Sequence, residues 1–128
     1  METLILDVNW MAVFIGTAAS FLLGWLWYSP KMFGVKWAKG VGVDIEDSSG
    51  PQKMAMAAQL GSTFLLAWVI GVTETTDSLV LAVLVILMAA GLIKANGLFA
   101  QKSIFAIGVE TMYIIVMGVV MIMTHAFI

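Results

Sequence analysis

Four long apolar runs alternate with short polar stretches along this chain. The first runs from Val8 to about Tyr28 and carries no charge. The second runs from about Met54 to Val72, also uncharged. The third runs from Ser78 to Lys94 around an apolar heart, Leu79 to Gly91. The fourth runs from Ser103 to Thr124 and holds a single charge, Glu110. A membrane-crossing helix needs about 20 mostly apolar residues. The pattern therefore predicts an all-α polytopic membrane protein. It forms a single domain over residues 1–128, with transmembrane helices over about 8–28, 54–72, 78–94 and 103–124. Residues 29–53 form the one long connection. Within it, Ser29-Pro30 suits a helix start, and Phe33, Trp37 and Val41 share a stripe away from Lys31 and Lys39. That predicts a short interfacial helix, ended by Gly40 and Gly42. Asp44 to Gly50 reads as a solvated polar turn, and Pro51 opens the approach to the second span.

Composition agrees with the pattern and removes several function classes. Hydrophobic residues make up 62% of the chain and charged residues 11%, against about 45–50% and about 25% in a soluble domain. So few charges cannot cover such a core in water, which excludes an ordinary cytosolic enzyme and a nucleic-acid binder. There is no cysteine and one histidine, His125, so thiolate metal sites and cysteine nucleophiles are absent. No arginine is present either, and the bidentate phosphate fork goes with it. No catalytic constellation exists within the spans. The chain is expected to be no enzyme, with no cofactor and no metal.

The lysines set the orientation. Lys31, Lys36, Lys39 and Lys53 lie between the first and second spans, and Lys94 and Lys102 between the third and fourth. The leader, the Glu74–Asp77 turn and the tail have none. The positive-inside rule places both lysine-bearing loops in the cytoplasm. In a bacterial chain this means an inner-membrane protein with both termini in the periplasm. The leader holds Glu2 and Asp7 and no lysine, so the first span reads as a retained helix, not a signal peptide. Trp10, Trp25, Trp27, Tyr28, Trp37 and Trp68 fall near span ends or in the surface segment, as interfacial anchors do. Asn9 is placed to cap the first span.

Ala12, Gly16, Ser20 and Gly24 recur at four-residue steps, so one face of the first span is small. Small faces let backbones approach in lipid. The neighbour is another span or another copy of the chain. Ala57 with Gly61, or Ala58 with Ser62, offers a matching face on the second span. The third span, nearly devoid of polar residues, belongs on the lipid-facing perimeter. Glu110 lies about 9 Å into the fourth span at about 1.5 Å per residue, where a carboxylate is costly. Tyr113 is one turn away. Ser20, Gln59, Ser62 and Thr111 reach a similar depth and complete a candidate polar intramembrane site. Three readings stand for Glu110: a proton- or cation-binding group, part of a structural hydrogen-bond cluster, or a shallow carboxylate paired with Lys94 or Lys102. The methionines read as flexible filling, and His125 as an interfacial terminus.

Val8-Asn9-Trp10, then Gly24, and Trp27-Tyr28-Ser29-Pro30 running into Phe33-Gly34 and Trp37, resemble the domain-of-unknown-function family 1761. These are small bacterial membrane proteins with four helices. The resemblance covers residues 7–39 and implies a four-helix membrane fold. It carries no established activity, so it transfers no functional residue.

The leading expectation is transport or conduction of a small solute or ion through a homo-oligomer, with Glu110 as the binding group. The alternative is a non-catalytic accessory subunit that organises lipid or a partner protein through the lysine-rich surface helix. Membrane lipid is the partner common to both.

Overall fold

A computed structural model of the chain describes residues 2–42 and 50–128. Among these the structure is helical and holds no strand. The segments are α1 (Glu2–Ile5), α2 (Trp10–Trp27), α3 (Gly34–Val41), α4 (Gly50–Thr75), α5 (Leu79–Phe99) and α6 (Ile104–Phe127). Four of them, α2, α4, α5 and α6, are long and apolar enough to cross a membrane. The Asp44–Asp47 acids of the long connection lie outside the described residues.

Local chemistry explains the ends. Asn9 caps α2 by accepting from the Ala12 amide at 3.1 Å. Ser103 caps α6 by accepting from the Ala106 amide at 3.0 Å. Removing such a cap costs about 1 kcal/mol. Ser103→Ala is therefore expected to lower stability by about that amount in a detergent-micelle unfolding titration.

The α4–α5 and α5–α6 hairpins close in the same way. The Ser78 amide donates to the Thr73 carbonyl at 2.8 Å, and the Lys102 amide to the Gly97 carbonyl at 3.1 Å. Each closure places a residue with positive φ just before the donor, Asp77 at 56° and Gln101 at 59°. Glycine is the usual occupant of such a position.

Three boundaries differ from expectation. The surface helix does not begin at Ser29-Pro30. The Ser29 hydroxyl donates back to the Leu26 carbonyl, and the Ser29 carbonyl accepts from the amides of Met32 and Gly34. That turn uses up the first residues, and α3 starts at Gly34. Gly42, at φ 79°, ends it alone. Gly40 instead stays helical and lets α3 touch α6, because a side chain there would collide with Ser103 and Ala106. Finally, α5 continues past Lys94 to Phe99. Lys94 is exposed and so does not interrupt the helix. Gly97 is buried where a Cβ would meet Ile107.

Helix α6 is the centre, touching α2, α3, α4 and α5. Val13, Ala67, Ile70, Ile86, Met117 and Met121 form the core with Tyr113. The small-residue face of α2 packs on α6 of the same chain. Ala12 and Ser20 are fully buried, Gly16 lies against Met121 and Thr124, and Gly24 against Tyr113. The anticipated match on α4 is not used. Ala57, Ala58, Gly61 and Ser62 are exposed, and Gly61 has open space around it. Met121 and the Tyr113 ring occupy the notches of α2 at Gly16 and Gly24. Helix α5 is the least buried of the four and packs chiefly on α6.

Candidate functional site at the lysine-bearing end

The sequence pattern groups Ser20, Gln59, Ser62, Glu110, Thr111 and Tyr113 as one layer. The fold divides them. Glu110 belongs to a shallow cluster. Its Oε2 accepts from Trp37 Nε1 at 2.9 Å. Lys102 Nζ bridges both carboxylate oxygens, at 3.1 and 3.0 Å. The Lys102 and Glu110 side chains remain 26% and 14% exposed. Chain geometry makes this pair. The left-handed Gln101 turns the backbone so that Lys102 reaches forward along α6. Helix α3, seated through Gly40, delivers Trp37 from the other side. The Ser103 amide donates to the Gly40 carbonyl at 3.0 Å and fixes that seat.

A second cluster lies deeper. Tyr113 is buried, and its hydroxyl donates to the Ser20 carbonyl at 2.8 Å. It does not bond Glu110, although one helical turn separates them. Tyr28 and Trp27 pack their rings on Tyr113 at 5.5 and 6.2 Å. The Gln59 amide donates to Thr63 Oγ1, and that hydroxyl donates to the Gln59 carbonyl. Thr63 is 1% exposed and was not among the expected site residues. A threonine one turn from Gln59 on the same face was the available signal. Ser62 is exposed and, among the described residues, joins neither cluster by a hydrogen bond, and Thr111 donates to the Ile107 carbonyl of its own helix. The Ser20 hydroxyl is buried with no partner among the described residues.

The tryptophans are tied into the chain as well as placed near the ends. Trp27 donates to the Val109 carbonyl, Trp68 to that of Leu4, and Trp10 to that of Ile5. The Trp10 and Trp68 rings pack at 5.3 Å, tilted by 53°. Trp25 alone points outward, 73% exposed. His125, expected as an interfacial terminus, is packed inside the bundle. It is 6% exposed, with Nδ1 at 3.0 Å from the Met121 carbonyl. Gly71 makes room for the ring, since a Cβ there would meet Nε2 at 3.0 Å.

Two concavities stand out. One of about 180 Å³ lies at the opposite end, between Thr73, Glu74, Asp77, Ser78 and His125. A shallow groove of about 280 Å³ lies between α3 and the start of α6, lined by Lys36, Lys39, Gly40, Ser103 and Phe105. Glu110 lines neither. Among the described residues no group of three His, Cys, Asp or Glu side chains is placed to hold a metal ion.

Residues 11–126 match the family model described as protein of unknown function, DUF1761. The chain belongs to the DUF1761 family. The match reaches far beyond residues 7–39, which carry the resemblance in sequence, and takes in α3, α4, α5 and nearly all of α2 and α6. No curated protein and no solved structure matches. DUF1761 membership and four apolar helices are compatible with a multi-pass membrane protein of unestablished activity.

Proposed function

We propose that this DUF1761 protein is a non-catalytic, multi-pass subunit of the bacterial inner membrane that organises lipid or a partner protein. Its working surface is α3 and the lysine-bearing end. One observation carries the reading: the Glu110 carboxylate accepts three hydrogen bonds, from Trp37 and twice from Lys102. A carboxylate so engaged serves as a clamp that docks α3 on α6. The positive-inside rule orients this end to the cytoplasm and both termini to the periplasm. The exposed small residues of α4, Ala57, Ala58, Gly61 and Ser62, are the face left for a second copy in a homo-oligomer.

The second reading is transport or conduction of a small solute or ion, with Glu110 as the binding group. The partial exposure of Lys102 favours it, since a competing cation has access to the pair.

Glu110→Gln discriminates between the two. As a clamp, the residue should release α3 on substitution. Trp37 emission would shift to the red, and protease cleavage in the 29–53 connection would speed up several-fold, with no change in proteoliposome ion flux. A pH-dependent flux that the substitution abolishes would replace the clamp with the transport reading. The cysteine-free chain also permits single-site labelling. Lys39→Cys should react with a membrane-impermeant maleimide only from the cytoplasm, and Asp77→Cys only from the periplasm. The reverse pattern would sink the orientation.

A further inference from the structure

We propose that the groove between α3 and the start of α6 binds the phosphate of an anionic phospholipid headgroup. The first support is charge. By sequence, the ends reached by Lys31, Lys36, Lys39, Lys53, Lys94 and Lys102 hold four acids, Asp44, Glu46, Asp47 and Glu110. Glu110 is already paired with Lys102. The opposite end holds Glu2, Asp7, Glu74 and Asp77 with no lysine. Among the described residues the groove has no acid in its lining. It presents Lys36 and Lys39 with no opposing charge among those residues, so it complements an anion.

The second support is how the lysines are held. Lys36 and Lys39 are three residues apart, hence on one face of α3. Lys36 Nζ sits 4.3 Å from the centroid of the Phe105 ring, a cation–π contact that limits its wandering. Gly40 lets the α3 backbone press against Ser103, so both lysines ride on a fixed support at the start of α6. Phe105, half-buried, gives the groove an apolar wall beside its two charges. A phospholipid headgroup needs that pairing, because its phosphate continues directly into glycerol and acyl chain. Free phosphate has no use for the aromatic wall. Lysine near a membrane surface adds about 1 kcal/mol of attraction to anionic lipid per residue.

The site rests on the membrane-surface reading of α3 given above, and the experiment separates the two. Purified protein is incorporated into phosphatidylcholine nanodiscs, and binding of added phosphatidylglycerol is followed by native mass spectrometry. Lys36→Gln/Lys39→Gln should weaken phosphatidylglycerol binding by about tenfold or more. The charge-matched control Lys31→Gln/Lys53→Gln loses only the diffuse attraction that any surface lysine contributes, and should lose clearly less than the groove pair. Equal losses in the two double variants would mean diffuse attraction and would overturn the site. So would full competition by inorganic phosphate, which would make the ligand a soluble anion. If the chain's own Asp44–Asp47 acids fill the groove, binding will not respond to Lys36→Gln/Lys39→Gln, and the proposal fails. A chain that stays dispersed without detergent or lipid would overturn the membrane reading together with the site.

Discussion

Replacing Lys102 alone should destabilise the protein more than replacing Lys102 and Glu110 together. In Lys102→Met the Glu110 carboxylate, 14% exposed, keeps only the Trp37 indole as a donor. Breaking a buried pair by removing one partner costs about 3–5 kcal/mol. The partial exposure of Lys102 admits solvent and reduces this, and we expect a loss of about 2 kcal/mol. Lys102→Met/Glu110→Leu removes the stranded charge along with its partner. It should recover more than half of that loss, because apolar replacements of a buried pair are often neutral or better. Unfolding of the parent, both single variants and the double variant in mixed micelles closes the cycle. A double variant as unstable as the sum of the singles would show that the two side chains act independently.

Gly118→Val should be the most damaging single substitution at a helix contact. A Cβ at Gly118 would stand 2.5, 2.7 and 2.8 Å from Cδ1, Cγ1 and Cγ2 of Ile86. Ile86 is itself 5% exposed, so it cannot swing clear. Overpacking of this kind costs about 1–3 kcal/mol. With a whole branched side chain meeting three Ile86 atoms, the upper end applies, about 3 kcal/mol. Adding Ile86→Ala should restore much of it by opening the same space. Gly91 provides the contrast, since nothing lies within 4 Å of its position. Gly91→Val should change stability by no more than about 0.5 kcal/mol. Similar losses at both glycines would mean that the damage comes from helix propensity and not from the α5–α6 contact.

The apolar runs were legible in the sequence because length and hydropathy alone define them. So was the small face of α2, whose four-residue step needs no tertiary information. What that face meets was not legible. A row of small residues declares a close neighbour without naming it, and Tyr113 and Met121 on α6 are large residues that no matching rule selects. The pairing of Glu110 with Lys102 stood among three readings. It turns on the left-handed Gln101, and nothing in a glutamine announces that conformation. Trp37 was readable as a surface aromatic, but its bond to Glu110 joins residues 73 apart. Burial of His125 was hidden for a similar reason. It depends on the absent side chain of Gly71, on another helix.

The seam between α2 and α6 also governs the order in which the molecule can be completed. The bond from Tyr113 to Ser20 spans 93 residues, and that from Trp27 to Val109 spans 82. At about 5–20 residues per second, synthesis separates Ser20 from Tyr113 by about 5–20 s. During that interval the notches at Gly16 and Gly24 are empty and Trp27 has no Val109 carbonyl to meet. The hairpin of α5 and α6, by contrast, pairs neighbours in the chain. Helix α2 can pack on α4 as soon as α4 is made, but its small, polar-notched side finds its permanent partner only with α6, and a nascent chain halted before α6 leaves that side open to whatever other helix is at hand.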